Sequence, residues 1–309
     1  MTGAGISTAA GIPDFRSPKI GLYASIKEMT HLKFRSPTFV FDIDVFMDNP
    51  KPFWWIFNKL WPRDDWPLPT NMHYFISLLN EKGILLRNYT QNVDSLEIQA
   101  GLPPEKVIQC HGSLTTAHCQ DCHAEVPFAE CLRQVAPNRE NLEGQIEETV
   151  VPICPNCGKN HVKPDVTFFG EDLPEIFYDH LRDDFEQCDL LIVAGTALQV
   201  YPFAGLVNKV KAKVPRYVIN MDPVRGKSGF FGTIGNWIRS AITLFYADYS
   251  GVFDYGNGSD FFIGGDCQES IMNVVTKLNW GNDFEALKEK AQKQCKNPIA
   301  VAAQLETDN

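Results

Sequence analysis

The sequence contains no run of 18 consecutive apolar residues, the length that a helix needs to cross a membrane, so no membrane partner is expected. It also lacks an excess of basic residues. Lys and Arg total 28 against 38 Asp and Glu, for a formal net charge of −10. That balance argues against nucleic-acid binding through a general basic surface. It suits a soluble acidic surface and is compatible with a Lys-rich peptide partner. Nothing at the start resembles a secretory leader, and the expected location is cytoplasmic, nuclear or both. Internal repeats are lacking too. The nine cysteines are an odd number, and four of them form two Cys-x-x-Cys pairs. This pattern points to metal ligation in a reducing compartment rather than a disulfide framework. What remains is an ordinary globular composition, 44% hydrophobic and 21% charged over 309 residues. It is enough for one large domain, or one large and one small.

Several apolar runs end in polar or glycine-rich turns. Residues 84–86 lead towards Gln91, Asn92 and Asp94. Val107 and Ile108 lead to His111 and Gly112. Residues 190–194 form a continuous apolar run, as a strand buried on both faces does, and stop at Gly195 and Thr196. "RYVIN" ends at Asn220. Helix-like segments lie between. Met72, Phe75, Ile76 and Leu79 share one face, with Gly83 as a stop. Ile176, Phe177, Leu181 and Phe185 are expected to share another. The alternation predicts an α/β fold with a doubly wound, Rossmann-like parallel sheet. Its ligands bind at the carboxyl ends of the strands, where the polar clusters fall.

Two segments interrupt the alternation. Residues 30–70 are rich in Phe, Trp and Pro. The spacing of Trp54, Trp55, Phe57 and Trp61 fits the core of a small helical insert better than an aromatic cage. Residues 115–165 hold the cysteine pairs. Val224 to Gly264 reads as a long irregular excursion, and the tail after Cys295 has little apolar periodicity.

Cys119 with Cys122 and Cys154 with Cys157 are the strongest chemical signal. Two such knuckles make a closed tetrahedral zinc site, which leaves no position for substrate and is therefore structural. His118, His123 and His161 lie nearby, but the regular spacing favours the cysteines. Gly3-Ala4-Gly5 is a turn of the kind that lets a backbone approach a pyrophosphate, with Ser7 and Thr8 as further hydroxyl donors. The dehydrogenase fingerprint would need glycine where Thr8 stands, so the expected dinucleotide is bound in a variant manner without hydride transfer. His111 sits at a strand's carboxyl end, where either a structural role or a general base is reasonable.

With these pieces in place, the sequence resembles the sirtuins, the NAD-dependent protein-lysine deacylases. The resemblance rests on "TGAGISTAAGIPDFRSP", "GLY", "YTQNVDSLE", "CHGS", the paired Cys-x-x-Cys, "KPDVTFFGE", "GTALQVYPFA", "VIN" and "GDC", in family order up to about residue 275. "STAAGIPDFRSP" and "FDIDVFMDNPKPF" look most like the branch of the cytosolic deacetylases.

The resemblance implies roles for particular residues. Ala4, Gly5, Ile6, Ser7 and Thr8 would line the pyrophosphate of NAD. Asp14, Phe15 and Arg16 would form the cofactor loop. Gln91, Asn92, Val93 and Asp94 would surround the nicotinamide and its ribose, with Asn92 also placing a water. Gly195, Thr196, Asn220, Met221, Asp222 and Cys267 would meet the phosphates and adenosine. Val166 and Phe168 would flank the acyl-lysine of a histone or non-histone substrate, bound as an added strand. His111 would be general base on the ribose hydroxyls, yielding nicotinamide, free lysine and 2′-O-acyl-ADP-ribose. Residues 19–30 hold no Tyr-x-x-Arg that would read an acidic acyl group, so acetyl and longer apolar groups are favoured.

It also implies an NAD-binding domain of residues 1–30, 71–114, 166–223 and 262–290. The small domain would combine the helical insert 31–70 with the zinc module 115–165, leaving 224–261 as the excursion and 291–309 as the tail. The family's first strand and preceding helix are expected to be missing, which would open the centre of the sheet. That expectation leaves one alternative, a zinc-bearing binding module without catalysis; the resemblance separately leaves another, a protein mono-ADP-ribosyltransferase.

Overall fold

In the computed structural model, which describes residues 1–14, 21–23, 26, 36–60, 67–136, 146–224, 253–256 and 258–294, the apolar runs build a parallel sheet beside a small antiparallel one. The described strands are β1 (Asn88–Thr90), β2 (Val107–Gln109), β3 (Gly112–Cys119), β4 (Glu125–Pro127), β5 (Val162–Val166), β6 (Leu191–Ala194), β7 (Arg216–Asn220) and β8 (Asp260–Gly264). β1 pairs with β2, and β6, β7 and β8 pair in order, all in parallel.

Residues 1–3 lie between the two halves. Thr2 bridges Thr90 on one side and Ala194 on the other. The Thr2 N–H donates to Tyr89 O at 2.9 Å, and Gln91 N–H donates to Thr2 O at 3.0 Å. On the far side Ala194 N–H donates to Met1 O at 2.9 Å and Gly3 N–H to Ala194 O at 3.1 Å. The ladder is therefore continuous from β2 to β8 as far as these residues reach.

β6 shows why its residues form a central strand. Leu191 and Val193 pack into one core with Phe177, Phe185 and Phe203. Ile192 and Ala194 face the other, with Met72, Ile219 and Ile271. Successive side chains point to opposite faces, and both faces are covered.

The described helices are α1 (Ile43–Asp48), α2 (Lys51–Leu60), α3 (Asn71–Glu81), α4 (Leu96–Gln99), α5 (Phe128–Val135), α6 (Ile176–Asp179), α7 (Leu181–Gln187), α8 (Cys267–Lys277) and α9 (Gly281–Gln294). α3 opens on a reciprocal cap between Thr70 and His73 and is closed by Gly83 at φ +71°. α8 is capped by Asp266, whose side chain accepts from the backbone of Gln268 and Glu269.

Two expectations change in detail. β1 begins at Asn88, and residues 84–86 precede it outside any strand; Ile84 is 62% exposed, so no core face holds it in register. The segment around Ile176 forms two short helices, α6 and α7, that meet at His180. Phe177 and Phe185 are buried, whereas Ile176 is exposed and contributes to neither face.

Trp54, Trp55 and Phe57 are buried on α2, which makes them core; Trp61 lies outside the described residues. Trp54 also donates its indole N–H to Val162 O at 3.3 Å. This ties the helical insert to the antiparallel sheet β4–β3–β5. The two share one core, which includes Phe46, Phe53, Trp54, Leu114, Val162 and Phe168. Most of the expected excursion and residues 295–309 lie outside the described residues, but the last five residues of the stretch from Val224 to Gly264 are not irregular: Asp260–Gly264 form β8, held by parallel pairing to β7.

Candidate active site

Three glycines bring two loops together above the carboxyl ends of the parallel strands. Gly5 N–H donates to Gly195 O at 2.8 Å. A Cβ on Gly5 would stand 2.8 Å from Gly195 Cα, and one on Gly3 would stand 2.7 Å from the Thr196 side chain. Gly195, at φ +61°, would press its Cβ to 2.5 Å from Ile6 N. The glycines thus serve loop-to-loop contact directly. Thr196 extends that contact by donating its hydroxyl to Gln91 Oε1 at 2.6 Å.

Ser7 departs from its expected use. It is fully buried, and its hydroxyl donates to Asp94 Oδ2 at 2.7 Å. Asn92 Nδ2 donates to the same Ser7 oxygen at 3.1 Å and to Gly3 O at 3.2 Å. Ser7 therefore props the glycine turn from beneath and offers no hydroxyl at its surface. Thr8 is exposed, with its hydroxyl on Gly5 O at 3.1 Å. Val93 packs partly buried against the small-module core.

Beneath Ser7 lies a buried polar cluster. His73 Nδ1 accepts from Thr70 N–H at 3.1 Å, so the ring proton sits on Nε2, which faces Ser7 Oγ at 3.5 Å. Burial lowers the His73 pKa to about 3, so the ring is neutral. Single donor atoms of His73, Asp94 and Glu97 lie within 4.8 Å of one another. That grouping is not a metal site, because both histidine nitrogens are committed. Asp94 Oδ1 accepts from Leu96 N–H at 3.0 Å, and burial raises its pKa against the pull of its hydrogen bonds.

His111 follows β2. Its Nδ1 donates to Gln91 O at 3.1 Å, which leaves Nε2 unprotonated. Nε2 is buried and has no hydrogen-bond partner. Burial lowers the His111 pKa, so the ring is a neutral base with its lone pair free. An orphaned acceptor among loops at the carboxyl ends of a parallel sheet fits a sugar hydroxyl of a bound nucleotide.

Beside His111, Thr167 N–H donates to His111 O at 2.9 Å, fixing the end of β5. Val166 is half-buried there. Phe168 is 2% exposed, its ring packed on Phe41, Phe46 and Phe53 and under the Lys163 ammonium. Its ring is therefore part of the core, and Phe169 is the exposed ring of the pair. Lys163, itself buried, reaches Val166 O at 2.6 Å and Glu171 at 3.1 Å, while Glu171 accepts from Phe168 N–H at 2.6 Å. Sequence reasoning missed Thr70, His73, Glu97, Lys163 and Glu171. The Thr-x-x-His spacing at the start of α3 was a signal for the first two.

On the adenosine side, Asn220 Nδ2 donates to Asp222 O at 3.1 Å and approaches Thr196 O at 3.5 Å. Met221 is 68% exposed, while Cys267 is buried with its sulfur on Ile219 O at 3.5 Å. Ala4 and Ile6 flank the turn, with Ile6 fully buried. Asp14 is described, whereas Phe15 and Arg16 lie outside the described residues.

The four paired cysteines converge. Cys119 and Cys157 sulfurs lie 3.5 Å apart, and Cys122 and Cys154 lie 3.7 Å apart. A tetrahedral zinc with bonds of about 2.3 Å needs an edge of roughly 3.8 Å, so the set fits zinc. His118 instead pairs with Asp165 and His161 with Asp121, each at 2.8 Å, so neither joins the sulfurs.

These loops and sulfurs define a doubly wound α/β domain of nucleotide-binding architecture with an inserted zinc-binding module. The Sir2 family model matches residues 3–202, and the chain belongs to that family. It is 41% identical over 289 residues to NAD-dependent deacetylase sir2A of Dictyostelium discoideum, covering 93% of this chain and 50% of that protein. It is 39% identical over 296 residues to NAD-dependent protein deacetylase sirtuin-2 of Danio rerio, covering 93% of this chain and 69% of that protein. Against NAD-dependent protein deacetylase HST2 of Candida albicans the identity is 44% over 224 residues, 72% of this chain and 62% of that protein. The chain thus spans about half to two thirds of the length of these relatives. Among the described residues, no helix is long and apolar enough to cross a membrane.

Proposed function

We propose that this chain is an NAD-dependent protein-lysine deacylase that removes acetyl and longer apolar acyl groups from histone or non-histone proteins, in the cytoplasm, the nucleus or both. Within the family it would belong with the cytosolic deacetylases. The observation that carries the reading is the neutral, buried and unpartnered Nε2 of His111, set beside the Gln91–Asp94 turn. Sequence identity to three NAD-dependent deacetylases supports it.

NAD, when bound, would supply a ribose carbon with nicotinamide as its leaving group and a 2′-hydroxyl to receive the acyl group, with one water consumed as the lysine is freed. His111 Nε2 takes the proton from that ribose hydroxyl and so acts as general base. Asn92 spends its Nδ2 on Gly3 and Ser7, which leaves Oδ1 to orient a hydroxyl or a water. Asp94, held by the Ser7 hydroxyl and Leu96 N–H, would accept from the nicotinamide carboxamide. Ala4 to Thr8, Asp14 to Arg16, Gln91 and Val93 hold the rest of the nicotinamide half and the pyrophosphate, with Ser7 acting through the turn. Gly195, Thr196, Asn220, Met221, Asp222 and Cys267 hold the adenosine side. Val166 and the backbone of Phe168 form the wall along which the acylated peptide lies. Cys119, Cys122, Cys154 and Cys157 hold a structural zinc that keeps the small domain folded. The domain limits follow the sequence: 1–30, 71–114, 166–223 and 262–290 for NAD, with 31–70 and 115–165 forming the small domain.

The test is product analysis with NAD and an acetyl-lysine peptide. Equal amounts of nicotinamide, free-lysine peptide and 2′-O-acetyl-ADP-ribose are expected. ADP-ribose attached to protein without deacetylated peptide would instead identify an ADP-ribosyltransferase. A folded, zinc-loaded chain without turnover would identify a binding module.

A further inference from the structure

Glu97 lies on the short helix α4, directly after the turn that carries Asn92 and Asp94. It is fully buried, and neither of its carboxyl oxygens has a hydrogen-bond partner. One of those oxygens lies within 4.8 Å of both an Asp94 oxygen and a His73 nitrogen. No buried lysine or arginine accompanies them among the described residues of this cluster. His73 supplies no positive charge, since burial keeps the ring neutral and Thr70 N–H fixes its tautomer.

Two carboxylates this close, out of water and without a cation, do not both ionise at modest pH. The hydrogen bonds decide which one keeps the proton. Asp94 has a donor on each oxygen, Leu96 N–H on Oδ1 and the Ser7 hydroxyl on Oδ2. These bonds favour its charged form. Neither Glu97 oxygen has a donor at hydrogen-bond geometry; the Thr90 and Thr2 hydroxyls and its own N–H lie near enough to favour its charge, but burial outweighs them. Burial and the Asp94 charge together push the Glu97 pKa up to about 7. The other titratable groups in reach are the Cys110 thiol, which burial holds neutral, and the Met1 amine, which burial lowers to about 6 so that it carries no charge at neutral pH.

We propose that Asp94 and Glu97 share a single proton carried by Glu97, and that this proton is what holds Asp94 at the nicotinamide pocket with one negative charge. Glu97 is then a positioning residue. Its neutral carboxyl lets Asp94 stay ionised on Ser7 and Leu96. When the proton leaves, two buried anions repel each other, and Asp94 and α4 are pushed apart. Nicotinamide binding weakens as pH rises through about 7. The link to nicotinamide rests on the function proposed above, while the shared proton rests on the cluster alone.

Two measurements separate these layers. Infrared difference spectra of the NAD-free chain, titrated from pH 5 to 9, read the proton directly. A protonated-carboxyl band that disappears with a midpoint near neutrality, and is absent in Glu97→Gln, is the expected result. No such band in the folded wild type, or one that survives in Glu97→Gln, overturns the shared proton. The second measurement is inhibition by added nicotinamide across the same range. The wild type should lose affinity several-fold above neutral pH, and Glu97→Gln, a permanent mimic of the neutral acid, should have a flat profile. Glu97→Ala should bind nicotinamide weakly at every pH. Identical pH profiles for wild type and Glu97→Gln overturn the positioning role. Absence of any nicotinamide release or inhibition in wild type that still shows the infrared band counts against the deacylase reading and leaves the proton in place.

Discussion

Gly5 and Gly195 are joined backbone to backbone, the N–H of the first donating to the carbonyl of the second at 2.8 Å. Neither position has room for a side chain: the nearest atom to a new Cβ is at 2.8 Å for Gly5 and 2.5 Å for Gly195. The two turns that face the proposed cofactor site are thus one unit.

Gly195→Ala should therefore be costly. It adds a clash with backbone to a left-handed φ of +61°, together roughly 2–5 kcal/mol. NAD affinity should fall with it. Gly11→Ala is the control, since Gly11 has a similar φ of +86° but nothing within 4 Å of its Cβ. It should cost about 1–2 kcal/mol and leave NAD binding nearly unchanged. Chemical denaturation and calorimetry on both variants check the pair; equal losses would refute the close-contact account.

The His111 base should have an acid limb displaced to low pH. Burial lowers its pKa, so the neutral, proton-accepting ring persists below the ordinary value of 6.5. The logarithm of kcat/KM should stay level as pH falls through 6.5 and decline only beneath it. A limb at or above 6.5 would mean that His111 is solvated or is not the base.

Much of this was legible in the sequence, for physical reasons. The apolar run at 190–194, closed by Gly195, pointed to a buried strand, and residues 191–194 form one; Leu190 lies before it and is exposed. The cysteine spacing was enough to expect the four sulfurs to converge, as they do. The residues at the strand ends, Gln91 to Asp94, His111, Gly195 and Asn220, could be read as site candidates because parallel sheets present that edge to ligands. The rest depends on tertiary contacts. Nothing local tells that Ser7 turns inward to Asp94, or that Phe168 is core while Phe169 is exposed. Glu97 sits in an ordinary helical "SLEIQ", and only the fold buries it against Asp94.

The buried carboxyl has a consequence for stability. Glu97 has a folded pKa of about 7 against an ordinary 4.5, so between these values the folded chain binds a proton that the unfolded chain does not. Stability is lost as pH rises through that window, by roughly 3 kcal/mol in all. Glu97→Gln removes the term. Its advantage over wild type should be small at pH 5 and grow to roughly 3 kcal/mol at pH 8. His73 titrates with the opposite sign but is present in both proteins, so it cancels in the difference. Urea unfolding at the two pH values checks this; a difference that does not grow would contradict it.

Zinc should be structural. Cys119 and Cys154 belong to the same core as Trp54 and Phe168. Cys154→Ala or a strong chelator should release zinc, shift tryptophan fluorescence and loosen the β5 end that carries Val166. Cys188→Ser, away from the four sulfurs, should keep the metal. Retention of full peptide affinity after zinc loss would separate the metal from the substrate wall.

The most direct test of the central claim compares wild type with His111→Ala in a mixture of NAD and acetyl-lysine peptide, measuring nicotinamide and deacetylated peptide together. The account predicts equal release of both by wild type, dependent on the peptide, and a loss of deacetylated peptide on the order of 100- to 10,000-fold in the variant. Deacetylation that continues unchanged in His111→Ala would contradict it.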